Sequence, residues 1–196
     1  MSDQLVQSRK VSYRRMKDGT EEDYALITEN AEAFKLHTAE RLLKYVDTLL
    51  EGIPGDRVDC REHSLQTASR AFRDDAGEET VVAALLHDIG VPFAPDSHDR
   101  FAAEILRPYV GWETCWLVQH HGIFQGYYYF HHIGKDREAR DKYRGHPAFE
   151  RTAAFCEKWD QAAFDPDYDT MPLTAFAPMV QRIFACGPWA ARRRES

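Results

Sequence analysis

Val81-Val82-Ala83-Ala84-Leu85-Leu86-His87-Asp88-Ile89-Gly90 runs six apolar residues straight into a His-Asp pair. No polar face interrupts the run, so a helix here is apolar all round and belongs inside the molecule. Gly90 is expected to stop it, and Pro92 and Pro95 then force a loop. A buried ionisable pair is costly unless it is partnered or bound to metal. His87 and Asp88 are thus two good ligands at the end of the most buried element.

Upstream of this stretch, residues 59–73 predict a helix whose inner face carries His63, Thr67, Ala68, Ala71 and Phe72. Residues 74–77 read as a turn before the central helix, 78–89. Further back, Leu26, Phe34, Leu42, Leu43, Val46, Leu49 and Leu50 recur at helical spacing through residues 21–50, and Gly52-Ile53-Pro54-Gly55 ends that helix. Downstream, Ser97 is expected to cap a helix over 98–109 with Phe101, Ala102, Ile105 and Leu106 inward. Gly111 separates it from a helix around 112–124 that carries Trp116, Leu117 and the His120-His121 pair. Residues 126–147, rich in aromatics and charges, read as a short helix plus a long loop. Pro147 suits the first turn of a further helix bearing Phe149, Phe155, Cys156, Trp159 and Asp160. Asp165, Asp167 and Asp169 form an acidic turn that lacks the Gly and distal Glu of a calcium loop. A last helix is expected over 174–184. No stretch alternates with period two, so the fold class is all-α. The expected organisation is a flexible arm (1–20), a single helical domain (21–187) and a C-terminal tail (188–196).

The bulk numbers narrow the function. The chain has 196 residues, 43% apolar and 29% charged, as in an ordinary soluble globule. Its net charge is −7 and its one basic block is Arg192-Arg193-Arg194, which disfavours a phosphate-tracking nucleic-acid surface. Cys60, Cys115, Cys156 and Cys186 are widely spaced with no CxxC pair, as expected of reduced thiols in a cytoplasmic protein. No apolar run approaches the roughly 18 residues of a membrane span, and the polar N-terminus shows no secretory signal. A small molecule is the expected partner, with neither nucleic acid nor membrane.

Six candidate ligands lie near the inner faces of the predicted helices: His63, His87, Asp88, His98, His121 and Asp160. Mixed His and Asp without Cys suits iron, manganese or magnesium better than a structural zinc. Neighbours on a helix diverge by about 100°, so His87 and Asp88 can serve two adjacent ions, or the Asp can bridge them. A lone His on an apolar face is usually a hydrogen-bonded core residue. Four His and two Asp in order exceed what one ion needs and fit two ions sharing a carboxylate.

Glu62-His63-Ser64-Leu65-Gln66-Thr67-Ala68, then Leu85-Leu86-His87-Asp88-Ile89-Gly90, then Lys158-Trp159-Asp160, form an H…HD…D pattern that resembles the HD-domain superfamily. That superfamily includes metal-dependent phosphohydrolases and a smaller branch of diiron oxygenases. Ser97-His98-Asp99-Arg100-Phe101-Ala102-Ala103 and Val118-Gln119-His120-His121-Gly122-Ile123-Phe124 sit where dinuclear members carry two further histidines. The resemblance covers residues 62–161, roughly half the chain, and is nearest to the myo-inositol oxygenase and phosphonate-cleaving oxygenase branch. It implies a compact HD-type helical bundle with a dinuclear site at its centre. Two Fe ions, Fe(II) and Fe(III), would bind the substrate's hydroxyl and activate O2. By position, His63, His87, Asp88 and Asp160 would hold one iron, Asp88 would bridge, and His98 and His121 would hold the other. His121 rather than His120 takes the family's place, with His120 as a group beside the site or an alternative ligand. The implied activity is oxidation or cleavage of a small hydroxylated substrate. The alternative is a phosphohydrolase acting on a nucleotide or phosphomonoester with Mn or Mg. No catalytic group beyond the ligands is implied.

The chain also departs from that branch. Val91 stands where inositol oxygenases have a substrate-contacting Lys. Ile53, Asp56 and Cys60 replace a Tyr, a Glu and a Gln of the phosphonate branch, and Glu157 replaces its Arg. An Arg grips a phosphonate dianion bidentately, whereas a Glu repels it. Neither known substrate is therefore expected. The pocket candidates are Gln66, His120, Gln125, Tyr128 and Glu157, the last able to join the rings of 127–130 in caging a cationic group.

Overall fold

The computed structural model describes residues 9–48, 52 and 54–189. Residues 1–8 of the expected arm, Leu49, Leu50, Ile53 and residues 190–196 of the expected tail lie outside the described residues. The described residues form helices and turns with no strand among them, so the fold is all-α. The chain divides into two compact units, 1–38 and 39–196, and the division falls inside the span 21–187 read from the sequence as one domain.

In the first unit, α1 (Glu21–Leu36) begins with a reciprocal cap. The Thr20 hydroxyl accepts from the Asp23 amide at 3.2 Å, and the Asp23 carboxylate accepts from the Thr20 amide at 3.1 Å. The same carboxylate accepts from the Ser12 amide and hydroxyl at 2.8 and 2.9 Å. The helix predicted over 21–50 breaks at His37, whose backbone (φ −92°, ψ 14°) leaves the helical well.

The second unit is built around α4 (Glu78–Leu86). Every residue from Val81 to Leu86 is at most 2% exposed. Burial of each Val or Leu there contributes about 1.5–3 kcal/mol. As the unbroken apolar run predicts, this helix shows no solvent face along that run, because α3 (Cys60–Arg73), α6 (Trp112–Tyr129) and α8 (Leu173–Ala185) all pack on it. α2 (Thr38–Thr48) buries Ala39, Leu42 and Val46, an i, i+3, i+7 stripe. α5 (His98–Leu106) packs on α6, and α7 (Phe149–Phe155) continues as one π-helical turn, Cys156–Asp160.

Several boundaries differ from expectation for physical reasons. α4 ends at Leu86 rather than at residue 89. Its chain continues through successive tight turns closed by Ile89 N–H to Leu86 O, Val91 N–H to Asp88 O and Phe93 N–H to Gly90 O. Gly90 does not stop the helix by adopting a left-handed backbone. A Cβ there would lie 2.7 Å from the His98 carbonyl oxygen and 2.8 Å from its Cα, so the residue is small because α5 starts against it. Ser97 makes no side-chain cap, and α5 stops at Leu106. α6 extends five residues beyond its predicted end, absorbing Gln125 to Tyr129. The remainder of 126–147 holds two short 3-10 helices, Phe130–Ile133 and Arg137–Tyr143, joined and followed by turns. α7 starts two residues after Pro147, with Ala148 as its N-cap. Phe72 and Phe101, expected inward, are 40% and 37% exposed.

Candidate metal centre

Each of the six candidate ligands arrives on a different piece of backbone or at a sharp turn. His63 sits in the first turn of α3, where Asp59 accepts from the Glu62 amide at 2.7 Å and starts the helix. His87 and Asp88 occupy the turn that leaves α4. His98 opens α5, His121 lies mid-way along α6, and Asp160 closes the π turn, whose Gln161 N–H reaches back five residues to Cys156 O. Such turns re-aim one side chain within a helix and recur at functional sites.

The histidines share a second feature. His63 Nδ1 lies 3.0 Å from the Ala163 carbonyl, His87 Nδ1 2.7 Å from Ala84, His98 Nδ1 2.8 Å from Pro95 and His121 Nδ1 2.7 Å from Val118. A carbonyl only accepts, so each Nδ1 carries the proton and a neutral ring leaves Nε2 as a bare lone pair. Those four Nε2 atoms converge on two carboxylates. His63 Nε2 is 3.2 Å from His87 Nε2, 3.4 Å from Asp88 Oδ2 and 3.3 Å from Asp160 Oδ1. His87 Nε2 is 3.4 Å from Asp88 Oδ2 and 3.5 Å from Asp160 Oδ1. On the other side, Asp88 Oδ1 lies 3.3 Å from His98 Nε2 and 3.1 Å from His121 Nε2.

This donor set fits divalent cations. Lone pairs facing lone pairs and carboxylates repel unless a positive charge sits among them. Ligand atoms about 2.1 Å from one ion lie roughly 3.0–3.4 Å apart, close to the spacings observed here. The buried Oδ2 of Asp160 has no hydrogen-bond partner. The two oxygens of Asp88 face different histidine pairs, as a carboxylate between two cations must.

The electrostatics agree. Burial alone would raise both carboxyls, yet His87 with His121 and His63 holds Asp88, and His87 with His63 holds Asp160, well below the ordinary carboxylate range. Burial pulls His63 down, but Asp160 and Asp88 outweigh it and push the ring up to about 10. Without a metal, a proton occupies the place a cation would take. Gln125 Nε2 donates to Asp160 Oδ1 at 2.8 Å and fixes that carboxylate.

A cavity of about 170 Å³ opens onto His63, Asp88 and His98. Its remaining wall includes Asp56, Cys60, Val91, Gln125, Tyr129 and Phe164. Burial, then the Asp88 charge, push the Cys60 thiol up to about 11, so it stays protonated. Of the expected pocket residues, Gln125 lines this cavity and the others do not. Gln66 is fully buried with its amide engaged elsewhere. His120 turns away, with its ring stacked 4.1 Å from Trp116 and its Nδ1 2.8 Å from the Trp116 carbonyl. Tyr128 lies near Glu157; burial and that carboxylate push its phenol up. Glu157 itself is exposed. Of the rings 127–130, Tyr129 lines the cavity, and Phe164, which the sequence reading did not single out, lines it as well. The extension of α6 beyond its predicted end is what selects Tyr129 from that run, whereas Phe164, four residues after Asp160, had a usable signal in its spacing.

The helical unit that gathers these histidines and aspartates around one centre is similar to known proteins. Residues 61–143 match the model of the HD domain family. The chain is also 29% identical over 158 residues to a [1-hydroxy-2-(trimethylamino)ethyl]phosphonate dioxygenase (glycine-betaine-forming) from Leisingera caerulea, a match covering 66% of this chain and 81% of the relative.

Proposed function

We propose that the protein is a dinuclear non-haem iron oxygenase acting on a small hydroxylated substrate. The observation that carries this reading is the division of Asp88, with Oδ2 toward His63 and His87 and Oδ1 toward His98 and His121. A single ion does not need both arms. His63, His87, Asp160 and Asp88 Oδ2 would hold one iron, and His98, His121 and Asp88 Oδ1 the other. Iron bound there would supply redox chemistry that activates O2 against a substrate held through its hydroxyl. The dioxygenase activity of the relative supports the same reaction class.

The chain's own groups would do the rest. The Nδ1–carbonyl bonds hold four imidazoles in one tautomer before any ligand arrives. Gln125 steadies Asp160 and leaves its own carbonyl oxygen for the cavity. Tyr129 and Phe164 give the cavity aromatic walls against which a substrate would pack. Among the described residues, the cavity wall includes Asp56 and Asp59 but no Lys or Arg. A phosphonate dianion would find no guanidinium or ammonium there, so a substrate with a neutral or cationic end suits this wall better.

Anaerobic purification with metal analysis and electron paramagnetic resonance tests the reading. About two irons per chain and a coupled mixed-valent signal are expected. One manganese or magnesium per chain, with phosphate release from a nucleotide panel, would replace the oxygenase with a phosphohydrolase.

A further inference from the structure

Gln66 is one of the pocket candidates that the sequence offers. It is instead fully buried, and its amide is consumed by a backbone segment 99 residues away. Gln66 Nε2 donates to the Asp165 carbonyl at 2.7 Å and to Glu62 Oε1 at 3.1 Å. Gln66 Oε1 accepts from the Asp165 amide at 3.3 Å. One primary amide thus reads both backbone groups of a single residue.

The clamped residue ends a short run that begins at Asp160. Between them stand Ala163, whose carbonyl accepts from His63 Nδ1, and Phe164, whose ring lies 4.6 Å from the His63 ring. Other tethers to α3 lie farther along: Thr170 donates to Glu62, the Met171 amide to Ser69 Oγ at 3.0 Å, and Arg73 to Asp169 at 2.8 Å. Among these, the Gln66 bonds fall nearest in sequence to the carbonyl that orients His63.

We infer that Gln66 is a positioning residue for the metal centre: its amide clamps Asp165 and so holds the Ala163 carbonyl on His63 Nδ1. This rests on the ligand role of His63 proposed above and on no particular reaction. The clamp fixes the ring so that Nε2 points at Asp88 and Asp160. Groups that orient a ligating imidazole are typically worth about 10–100-fold in metal affinity.

The test uses the full-length chain loaded with Zn(II), which is diamagnetic. Wild type should show a slowly exchanging His63 Nδ1–H resonance. Gln66→Met, of equal length but without hydrogen bonds, should lose or broaden it and bind one of two Zn(II) ions about 10–100-fold more weakly. Arg73→Leu, which cuts a tether at the far end of the same segment, should leave the resonance and both affinities unchanged. Gln66→Asn, polar but too short to reach Asp165, serves if the methionine variant does not fold, and should behave like it. A wild-type chain without the resonance, a Gln66 variant with wild-type affinities, or an Arg73→Leu variant that reproduces the loss would overturn the inference. None of these outcomes depends on iron redox chemistry, so the oxygenase reading stands or falls separately on its resonance signal and metal count.

Discussion

Asp88 has a different neighbour for each oxygen, and the two histidines beyond its Oδ1 differ sharply in burial. His121 is 1% exposed, while the His98 side chain is 24% exposed. His98→Ala should therefore lower metal content from about two ions per chain to one with a change in metal-free stability within about 0.5 kcal/mol, the range of surface substitutions. His121→Ala should lose the same ion and also destabilise the fold, because it opens a cavity in α6. Elemental analysis with urea denaturation separates the two effects; a His98→Ala chain that keeps both ions would remove His98 from the ligand set. Gly90 makes a second residue-scale case. An added Cβ meets backbone atoms of His98, which cannot rotate away. Gly90→Ala should cost about 1–3 kcal/mol as overpacking and displace the start of α5. Lowered metal content should accompany that loss, whereas a purely conformational cost would leave metal content intact.

At the scale of elements, the apolar run before His87 was legible because six consecutive buried side chains leave no other reading. The convergence of the six candidate side chains was legible from their order along the chain, because each element or turn carries its His or Asp on its inner face. Other features depend on contacts that no local pattern encodes. The π turn at Asp160 shows no sequence mark, and the amide of Gln66 reveals its partner only when residue 165 returns to α3. The rings of 127–130 and Glu157 were pocket candidates by their neighbours in sequence, and the length of α6 decides that Tyr129 is the one at the cavity wall. In the first unit, α1 depends on its cap. Bonds from the Ser12 and Thr20 amides lower Asp23 to about 2 against an ordinary 3.8. A depressed carboxyl contributes stability that is present above the unfolded value and lost as pH falls toward the folded one. The first turn of α1 should hold above pH 4 and open between about pH 4 and 2, read by amide exchange. Asp23→Asn should abolish that pH dependence, and an unchanged profile would show that another group controls the cap.

For the whole molecule, α3, α5 and α6, the turn after α4 and the π turn after α7 meet at one point, so the charge state of that point acts on the entire second unit. In the metal-free chain His63 is raised to about 10 from 6.5, and its contribution is fully present below 6.5 and lost as pH rises through about 10. Asp88 and Asp160 are depressed, so their contribution is present above their ordinary 3.8 and lost as pH falls through their lowered values. The metal-free chain should therefore be most stable between about pH 4 and 6.5. A cation competes with the His63 proton for the same lone pair, so its binding releases protons and tightens as pH rises. Ligand at 100 times its Kd adds about 2.7 kcal/mol of stability, and a falling Kd enlarges that addition. Melting temperatures recorded anaerobically with and without Fe(II) should diverge steadily from pH 5.5 to pH 8. If the gap stays constant across that range, no proton leaves the centre when metal enters, and the four converging imidazoles would have to be neutral without it.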